Sequence, residues 1–329
     1  MPKRIKILAI DGGGIRGVIP AMLMAEIEKR TGKLIAELFD LIAGTSTGGI
    51  LALGAVKPAG KAKGKKDKPY YRAEELLALY ETEGGRIFYR SPWRSVMSLG
   101  AALDEKYPTE GIESVLQEYF GETMISEAIA DVIIPSYEIE KRTPFFFKSR
   151  KAQQNTADDF PMWQAARATS AAPSFFEPIR IKKKSASYAL ADGGVVANNP
   201  AMCAYAEVKR IYPSVDDMLI VSLGTGDPTR PIPIADAMNW GFAQWLVPLV
   251  SLFLDGMGDS VDYQLRQLLP DTKEGPARYY RLQPLLAEGS DNIDDASRTN
   301  IRVLKMISDD YIREHTLAID EMCAQLTAD

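Results

Sequence analysis

Hydrophobic residues come along this chain in short blocks punctuated by glycine, proline and charge. Residues 5–10 are almost wholly apolar and run into Asp11-Gly12-Gly13-Gly14, which predicts a buried strand opening into a glycine-rich loop. Between 18 and 30 the apolar residues Val18, Met22, Ala25 and Ile27 keep near-helical spacing until Gly32 stops the pattern. A second apolar run, 39–43, predicts a second strand, and 47–56 predicts a helix apolar almost all round and therefore buried. Strand, loop, helix, strand, sharp turn, helix is the opening of an α/β sheet with parallel strands.

Further along, helical patterns occupy 72–84, 110–120 (ended by Gly121), 162–169 (ended by Pro173) and 201–212, while 91–106 is mixed. Strand patterns rich in Val, Ile and Tyr lie at 131–139 and 144–148, with a short one at 188–191 before Asp192-Gly193-Gly194. The run 218–223 is a strong apolar strand ending in Gly224-Thr225-Gly226. Then the character changes: a proline-rich link at 228–233 leads into mostly helical sequence with one strand candidate at 278–282. This organisation predicts an α/β core over 5–226, with a mainly helical C-terminal region, 227–329, packed on it. No internal repeat is present.

Composition narrows the classes. At 329 residues, 46% hydrophobic and 25% charged, the chain is ordinary globular material. A net charge of −5 argues against nucleic acid as a bulk partner, because phosphate binding needs a basic surface. Cys203 and Cys323 are far apart and offer neither metal-ligand spacing nor a disulfide framework, so a reducing cytoplasm and no metal are expected. The apolar run near the N-terminus is too short for a signal peptide. The longest apolar stretch, 240–254, carries Gln244 and Pro248 and falls short of the roughly 20 residues a membrane span needs. With Trp240 and Trp245 it reads as core, as a dimer interface in a homo-oligomer, or as a segment dipping into lipid. Lys57, Lys61, Lys63, Lys65, Lys66 and Lys68 form a solvated loop or one that meets anionic headgroups, each lysine then adding about 1 kcal/mol.

The candidate chemistry centres on Gly44-Thr45-Ser46-Thr47-Gly48, a serine between two glycines where a strand gives way to a helix. This is the pattern of a nucleophile elbow, a turn so tight that side chains two positions either side of the serine would clash. The earlier loop, Gly12-Gly13-Gly14-Ile15-Arg16-Gly17, matches a dinucleotide-binding pattern, but the acid it needs belongs at the far end of the second strand. Here Asp40 is at the near end. The other use of such a loop is as an oxyanion hole, with backbone N–H groups of Gly12, Gly13 and Gly14, and of Thr47 after the nucleophile, converging on one point. Arg16 either supports the loop or meets a substrate phosphate. The chain has one histidine, His315, in a strongly charged helical pattern that reads as surface. Asp192, before Gly193 and Gly194 at a strand end, is either a turn-forming aspartate or the base of a Ser-Asp dyad, the arrangement left once histidine is unusable.

Taken together, Asp11-Gly-Gly-Gly-Ile-Arg-Gly17, Gly44-Thr-Ser-Thr-Gly-Gly49 and Asp192-Gly-Gly194 resemble the motifs of the patatin-like phospholipases in order and approximate spacing. The run Ala165-Ala-Arg-Ala-Thr-Ser-Ala-Ala-Pro173, Asn198-Asn-Pro200 and Ser222-Leu-Gly-Thr-Gly226 is similar to that family's framework. The resemblance spans roughly residues 5–226. It implies a three-layer α/β/α fold with a mostly parallel central sheet and a lipid acyl hydrolase of phospholipase A type. Ser46 would be the nucleophile, Asp192 the base and Gly12, Gly13 and Gly14 the oxyanion loop, with no cofactor. It implies a membrane phospholipid as substrate and a cytoplasmic protein working peripherally at the inner membrane. Some compact bacterial members look like antiviral effectors activated by cyclic dinucleotides, and a stand-alone chain with a helical C-terminal region is compatible with that. The rivals are an acyltransferase using the same dyad and a nucleotide-binding protein using the glycine loop.

Overall fold

In the computed structural model, which describes residues 4–60, 68–88, 107–184, 186–229, 231–270, 275–286 and 291–328, the apolar run Ile5–Ile10 forms β1 at the centre of the sheet. Successive side chains of a strand point to opposite faces. Leu8 and Ile10 accordingly join one hydrophobic core, while Ile5, Ile7 and Ala9 join another. The larger core is built with α1 (Val18–Thr31), α2 (Thr47–Val56), α3 (Ala73–Ile87), α4 (Thr109–Phe120) and α5 (Met162–Thr169). The smaller takes α6 (Ala201–Ile211) and, through Val261 and Leu265, the C-terminal part of α7 (Phe242–Leu268). Helices thus cover both faces, which is why β1 reads as a continuous apolar run rather than an alternating one. The ten residues of α2 are all buried, as their all-round hydrophobicity predicts.

β2 (Leu41–Gly44) and β7 (Met218–Leu223) flank β1 in parallel; β3 (Asp131–Glu138) follows beyond β2. Two strands run the other way, β4 (Thr143–Lys148) and β6 (Ser187–Asp192), both paired with β3; β5 (Ile179–Lys182), antiparallel to β6, runs again in the direction of β3. The register has a decisive consequence. β4 occupies one edge of β3 from Ile133 to Glu138, so β2, paired with Asp131, Val132 and Ile133, and β6, paired with Ser136, Tyr137 and Glu138, share the other edge. Because β2 is parallel to β3 and β6 antiparallel, their C-terminal ends face each other across residues 134–135. Ser46 follows one of those ends and Asp192 is the other.

Two elements differ from the sequence reading. β5 was not foreseen: it is a four-residue edge strand whose alternate residues Arg180 and Lys182 are exposed, too short and too charged to carry a strand signature. The C-terminal region also does more than pack on the core. β8 (Tyr279–Leu282) adds to β7 as a parallel strand of the same sheet, and α8 (Arg298–Glu314) and α9 (Thr316–Thr327) send Leu304, Ile319 and Met322 into the larger core. Sheet and core therefore continue past Gly226. Residues 91–106 and the lysine positions 61, 63, 65 and 66 lie outside the described residues. Among the described residues no helix is long and apolar enough to cross a membrane.

β8 also ties the first loop down. Arg281 donates to Asp11 Oδ2 at 2.6 Å and to Ser222 Oγ at 2.9 Å, joining the ends of β1, β7 and β8 in a buried ion pair. Removing one member of such a pair leaves the other charge uncompensated. Arg281→Met is expected to cost about 3–5 kcal/mol of stability, measured as a lowered urea midpoint with an unchanged slope.

Candidate active site

The turn between β2 and α2 is as tight as its glycines predict. A Cβ on Gly44 would lie 2.1 Å from Gly48 O, and one on Gly48 would lie 2.2 Å from Ile10 O, so strand and helix meet with no side chain between them. Ser46 at the apex has φ 54° and ψ −123°, a conformation that persists in a non-glycine residue only where its surroundings enforce it. Its N–H donates to Thr169 Oγ1 at 2.9 Å. The N–H of Thr47, in the first turn of α2, has no hydrogen-bond partner among the described residues, as first-turn donors of a helix lack one within the helix.

Asp192 closes β6 with its side chain wholly buried. Oδ1 accepts the Gly194 N–H at 2.6 Å, while Oδ2 is buried with no hydrogen-bond partner of good geometry. Burial pushes its pKa up to about 7; the Gly194 N–H and the adjacent Ser46 hydroxyl pull the other way and are outweighed. His315 lies exposed at the end of α8, stacked on Tyr311 at 4.0 Å between centroids. It is no part of the site.

The glycine loop is held on three sides. Thr225 Oγ1 donates to Gly12 O at 2.8 Å, the Gly12 N–H donates to Asn198 O at 3.1 Å, and the Ile15 N–H donates to Ile293 O at 2.8 Å. Gly14, with φ +57°, has Ile293 O where a Cβ would stand, 2.0 Å away. Gly13 and Gly14 keep N–H groups without a partner among the described residues, whereas the Gly12 N–H is occupied. This corrects the expectation of three free donors from the loop: two are free, and Gly12 serves instead to bind the loop to Asn198. Arg16 is buried away from the cavity, in a long contact of 3.5 Å with Gly226 O and within the field of Asp255, Asp291, Asp227 and Asp11. That placement corresponds to loop support and not to phosphate contact. Gly17 and Gly193 let Thr47 Oγ1 and Pro135 O come within 2.3 Å of where their Cβ atoms would be.

Gly13, Gly14, Ser46, Thr47, Asp192 and Gly194 line one cavity of about 460 Å³. The rest of its wall is nearly all apolar, from Ile50, Leu79 and Ile87 to Phe88, Ile112, Phe175 and Phe176, and among the described residues that line it Asp192 is the one that carries a charge. Val195 and Phe253 line it while being 43% and 64% exposed, so they mark its mouth. Asp40 sits at the opposite end of β2, capping the Lys6 N–H at 2.9 Å, which leaves no acid placed for a dinucleotide ribose.

A model of the family "Patatin-like phospholipase" matches residues 8–205. The chain belongs to the patatin-like phospholipase family. Its relatives extend beyond that core. Patatin-like protein 2 of Oryza sativa subsp. indica is 29% identical over 97% of this chain and 86% of its own length. Patatin-like protein 4 of Arabidopsis thaliana is 28% identical over 96% and 85%, and Patatin-T5 of Solanum tuberosum 27% identical over 94% and 84%. The fold, with helices on both sides of a mixed sheet, is the patatin fold, and the activity class that goes with the family is that of a lipid acyl hydrolase, a carboxylic ester hydrolase.

Within this patatin-like chain, several residues at the site escaped the motif reading. Thr169 and Asn198 belong to stretches noted only as framework, and their alternation with small residues was the one available signal. Arg281 and Ile293 carry no signal, since nothing local distinguishes them, and Arg281 reaches Asp11 from 270 residues away in sequence.

The buried carboxylate makes a stability prediction. Between pH 3.8 and about 7 the folded chain holds a proton on Asp192 that the unfolded chain releases, so stability falls as pH rises through that window. The ionised form costs about 4 kcal/mol by pH 8. Asp192→Asn keeps the acceptor for Gly194 without the charge. Thermal melts are expected to show the variant gaining on wild type as pH goes from 5 to 8, the Tm difference levelling off above about 7.

Proposed function

We propose that Ser46 and Asp192 form a catalytic dyad that hydrolyses acyl esters of membrane glycerophospholipids, in the manner of a phospholipase A. The observation that carries this reading is a buried, half-partnered carboxylate beside a strained serine, in an apolar cavity with no other charged side chain among the described residues. Ser46 Oγ attacks the ester carbonyl as Asp192 takes its proton; the carbonyl becomes an oxyanion facing the free N–H groups of Gly13, Gly14 and Thr47. Losing one such donor costs typically about 3 kcal/mol of barrier. Collapse breaks the ester bond, and protonated Asp192 gives its proton to the departing lysolipid oxygen. Asp192 then takes a proton from water, the hydroxide attacks the acyl-enzyme, and the second collapse releases fatty acid and returns the proton to Ser46. A base with a pKa near 7 is well matched to both directions of transfer.

The cavity supports an acyl chain as the group bound, each buried methylene contributing about 0.8 kcal/mol. The mouth supports delivery from a membrane: Val195 and Phe253 are exposed there, and Leu252, the neighbour of Phe253 in α7, is 42% exposed. In this reading the rim enters the headgroup region of a bilayer and lets a chain pass into the cavity without crossing water.

On phospholipid vesicles, Ser46→Ala and Asp192→Asn should each abolish fatty-acid release; retention of wild-type release by either rules out the dyad. The kcat of wild type should rise with pH as Asp192 ionises, with one proton and a midpoint near about 7. The same assay with added alcohols separates hydrolysis from acyl transfer, and with added cyclic dinucleotides it tests activation. For the rim, Leu252→Glu should weaken vesicle binding by sedimentation about tenfold or more, from the loss of one apolar side chain's burial, while hydrolysis of a soluble short-chain ester is unchanged. Unchanged vesicle binding excludes this face as the docking surface.

A further inference from the structure

The end of α5 touches both halves of the site. Thr169 is fully buried; its hydroxyl accepts the Ser46 N–H at 2.9 Å and donates to Pro135 O, in β3, at 2.6 Å. Its own carbonyl accepts the Gly193 N–H at 3.2 Å, and two residues on, Ala171 O accepts the Asp192 N–H at 3.0 Å. Residues 169–171 therefore hold the backbone of the nucleophile with a side chain and the backbone of the base with two carbonyls, while Pro135 anchors the whole to the gap where β2 and β6 face each other. The space for this is specific: a Cβ on Gly49 would lie 2.6 Å from Thr169 Cγ2.

Two features show what the contact does. Ser46 has left-handed φ and is the N-cap of α2, so its N–H lies outside the helix ladder and needs an outside acceptor. Thr169 supplies it, and because the same hydroxyl is spent on Pro135 O, it cannot rotate away without losing a buried bond. The serine's main chain is thus fixed relative to the strand that carries the pairing of β6. Apart from its approach to Asp192, the Ser46 hydroxyl has no comparable bond among the described residues, so its position relative to Asp192 is set through the main chain.

We propose that Thr169 is a positioning residue for the Ser46–Asp192 pair, its hydroxyl holding the elbow and residues 169–171 acting as a clasp that sets the approach of nucleophile to base. The inference rests on the dyad reading above. It assigns to Thr169 no contact with substrate, and so predicts an effect on turnover rather than on binding.

The test uses the full-length protein, a soluble short-chain ester, and titration with a fluorophosphonate to count active sites. Thr169→Val keeps the shape and removes the hydroxyl. Its kcat per titrated site should fall about a hundredfold, the size of effect that a small misplacement of reacting groups produces, with KM unchanged. Among the described residues Asp192 is acted on by the Gly194 N–H and the Ser46 hydroxyl and by no charged side chain, so the pH–rate profile reads the spacing. If the hydroxyl of Ser46 draws away, its downward pull is lost and the midpoint moves above the wild-type value. Thr169→Ser restores the oxygen without the methyl and should recover both kcat and midpoint. A merely structural role would reduce the titrated fraction, leave the midpoint in place and be worsened by serine as well. Wild-type kcat and midpoint in folded Thr169→Val overturn the proposal. Should that variant not fold, Thr169→Ser and Thr169→Ala decide: serine keeping the rate and midpoint that alanine loses supports the clasp, and equal loss in both overturns it. Ser46→Ala is run alongside, so that activity surviving there sinks the dyad, whereas an inactive Ser46→Ala with wild-type Thr169→Val sinks the clasp alone.

Discussion

Everything at the site depends on β3 having only two edges. β4 fills one of them along Ile133–Lys148 to Glu138–Thr143, and the remaining edge is divided between β2, running with β3, and β6, running against it. Strands of opposite direction sharing an edge can only meet end to end, and here the ends that meet are both C-terminal. A serine on the turn after one and an aspartate closing the other are thereby opposed without an intermediary. A Ser-His-Asp arrangement would place an imidazole between them; this geometry leaves the carboxylate itself beside the hydroxyl, and the chain's one histidine is on the surface at the other end of α8.

The same apolar wall acts on both chemistry and recognition. Taking Asp192 out of water raises its pKa to about 7, high enough for it to hold a proton and low enough to release one near neutrality. Asp192 shares its cavity with Ile50, Phe175 and Phe176, apolar side chains that make the space hospitable to hydrocarbon. The low polarity that costs folding stability at Asp192 strengthens any dipole aimed at a developing charge, so two or three spare backbone N–H groups count for more there than in water. The residues that fit this site for lipid are therefore a source of local instability, compensated by the core around it.

The chain beyond residue 205, where the family match ends, is structurally bound to the site. Thr225 and Ile293 fix the glycine loop, Arg281 neutralises Asp11 at its base, and Phe253, Leu254 and Met257 form part of the cavity wall. The N–H groups of Gly13 and Gly14, without a partner among the described residues, are held in place because their neighbours Gly12 and Ile15 are both bonded, one to Asn198 and one to Ile293. Rigidity on either side of two free donors is what a preorganised hole requires.

The sequence by itself determined whatever is settled within a few residues. The tight turn at Gly44-Thr45-Ser46-Thr47-Gly48, the glycine loop, the buried helix Thr47–Val56 and the strand Ile5–Ile10 follow from local sterics and from hydrophobic period, and each was legible. So was the exclusion of histidine from the site, since the single His315 lies among charged neighbours. What only the tertiary structure decided are matters of pairing across long stretches of chain. That Gly12 has its N–H occupied, that Arg16 turns away from the cavity, that β8 completes the sheet and that Thr169 reaches Ser46 all depend on which groups find one another once distant parts of the chain are packed together, 123 residues apart for Thr169 and Ser46 and 270 for Arg281 and Asp11. Hydrogen bonds of that kind have no period and no local composition. They are fixed by the packing of the sheet, where each buried donor must find an acceptor and takes the one the register brings.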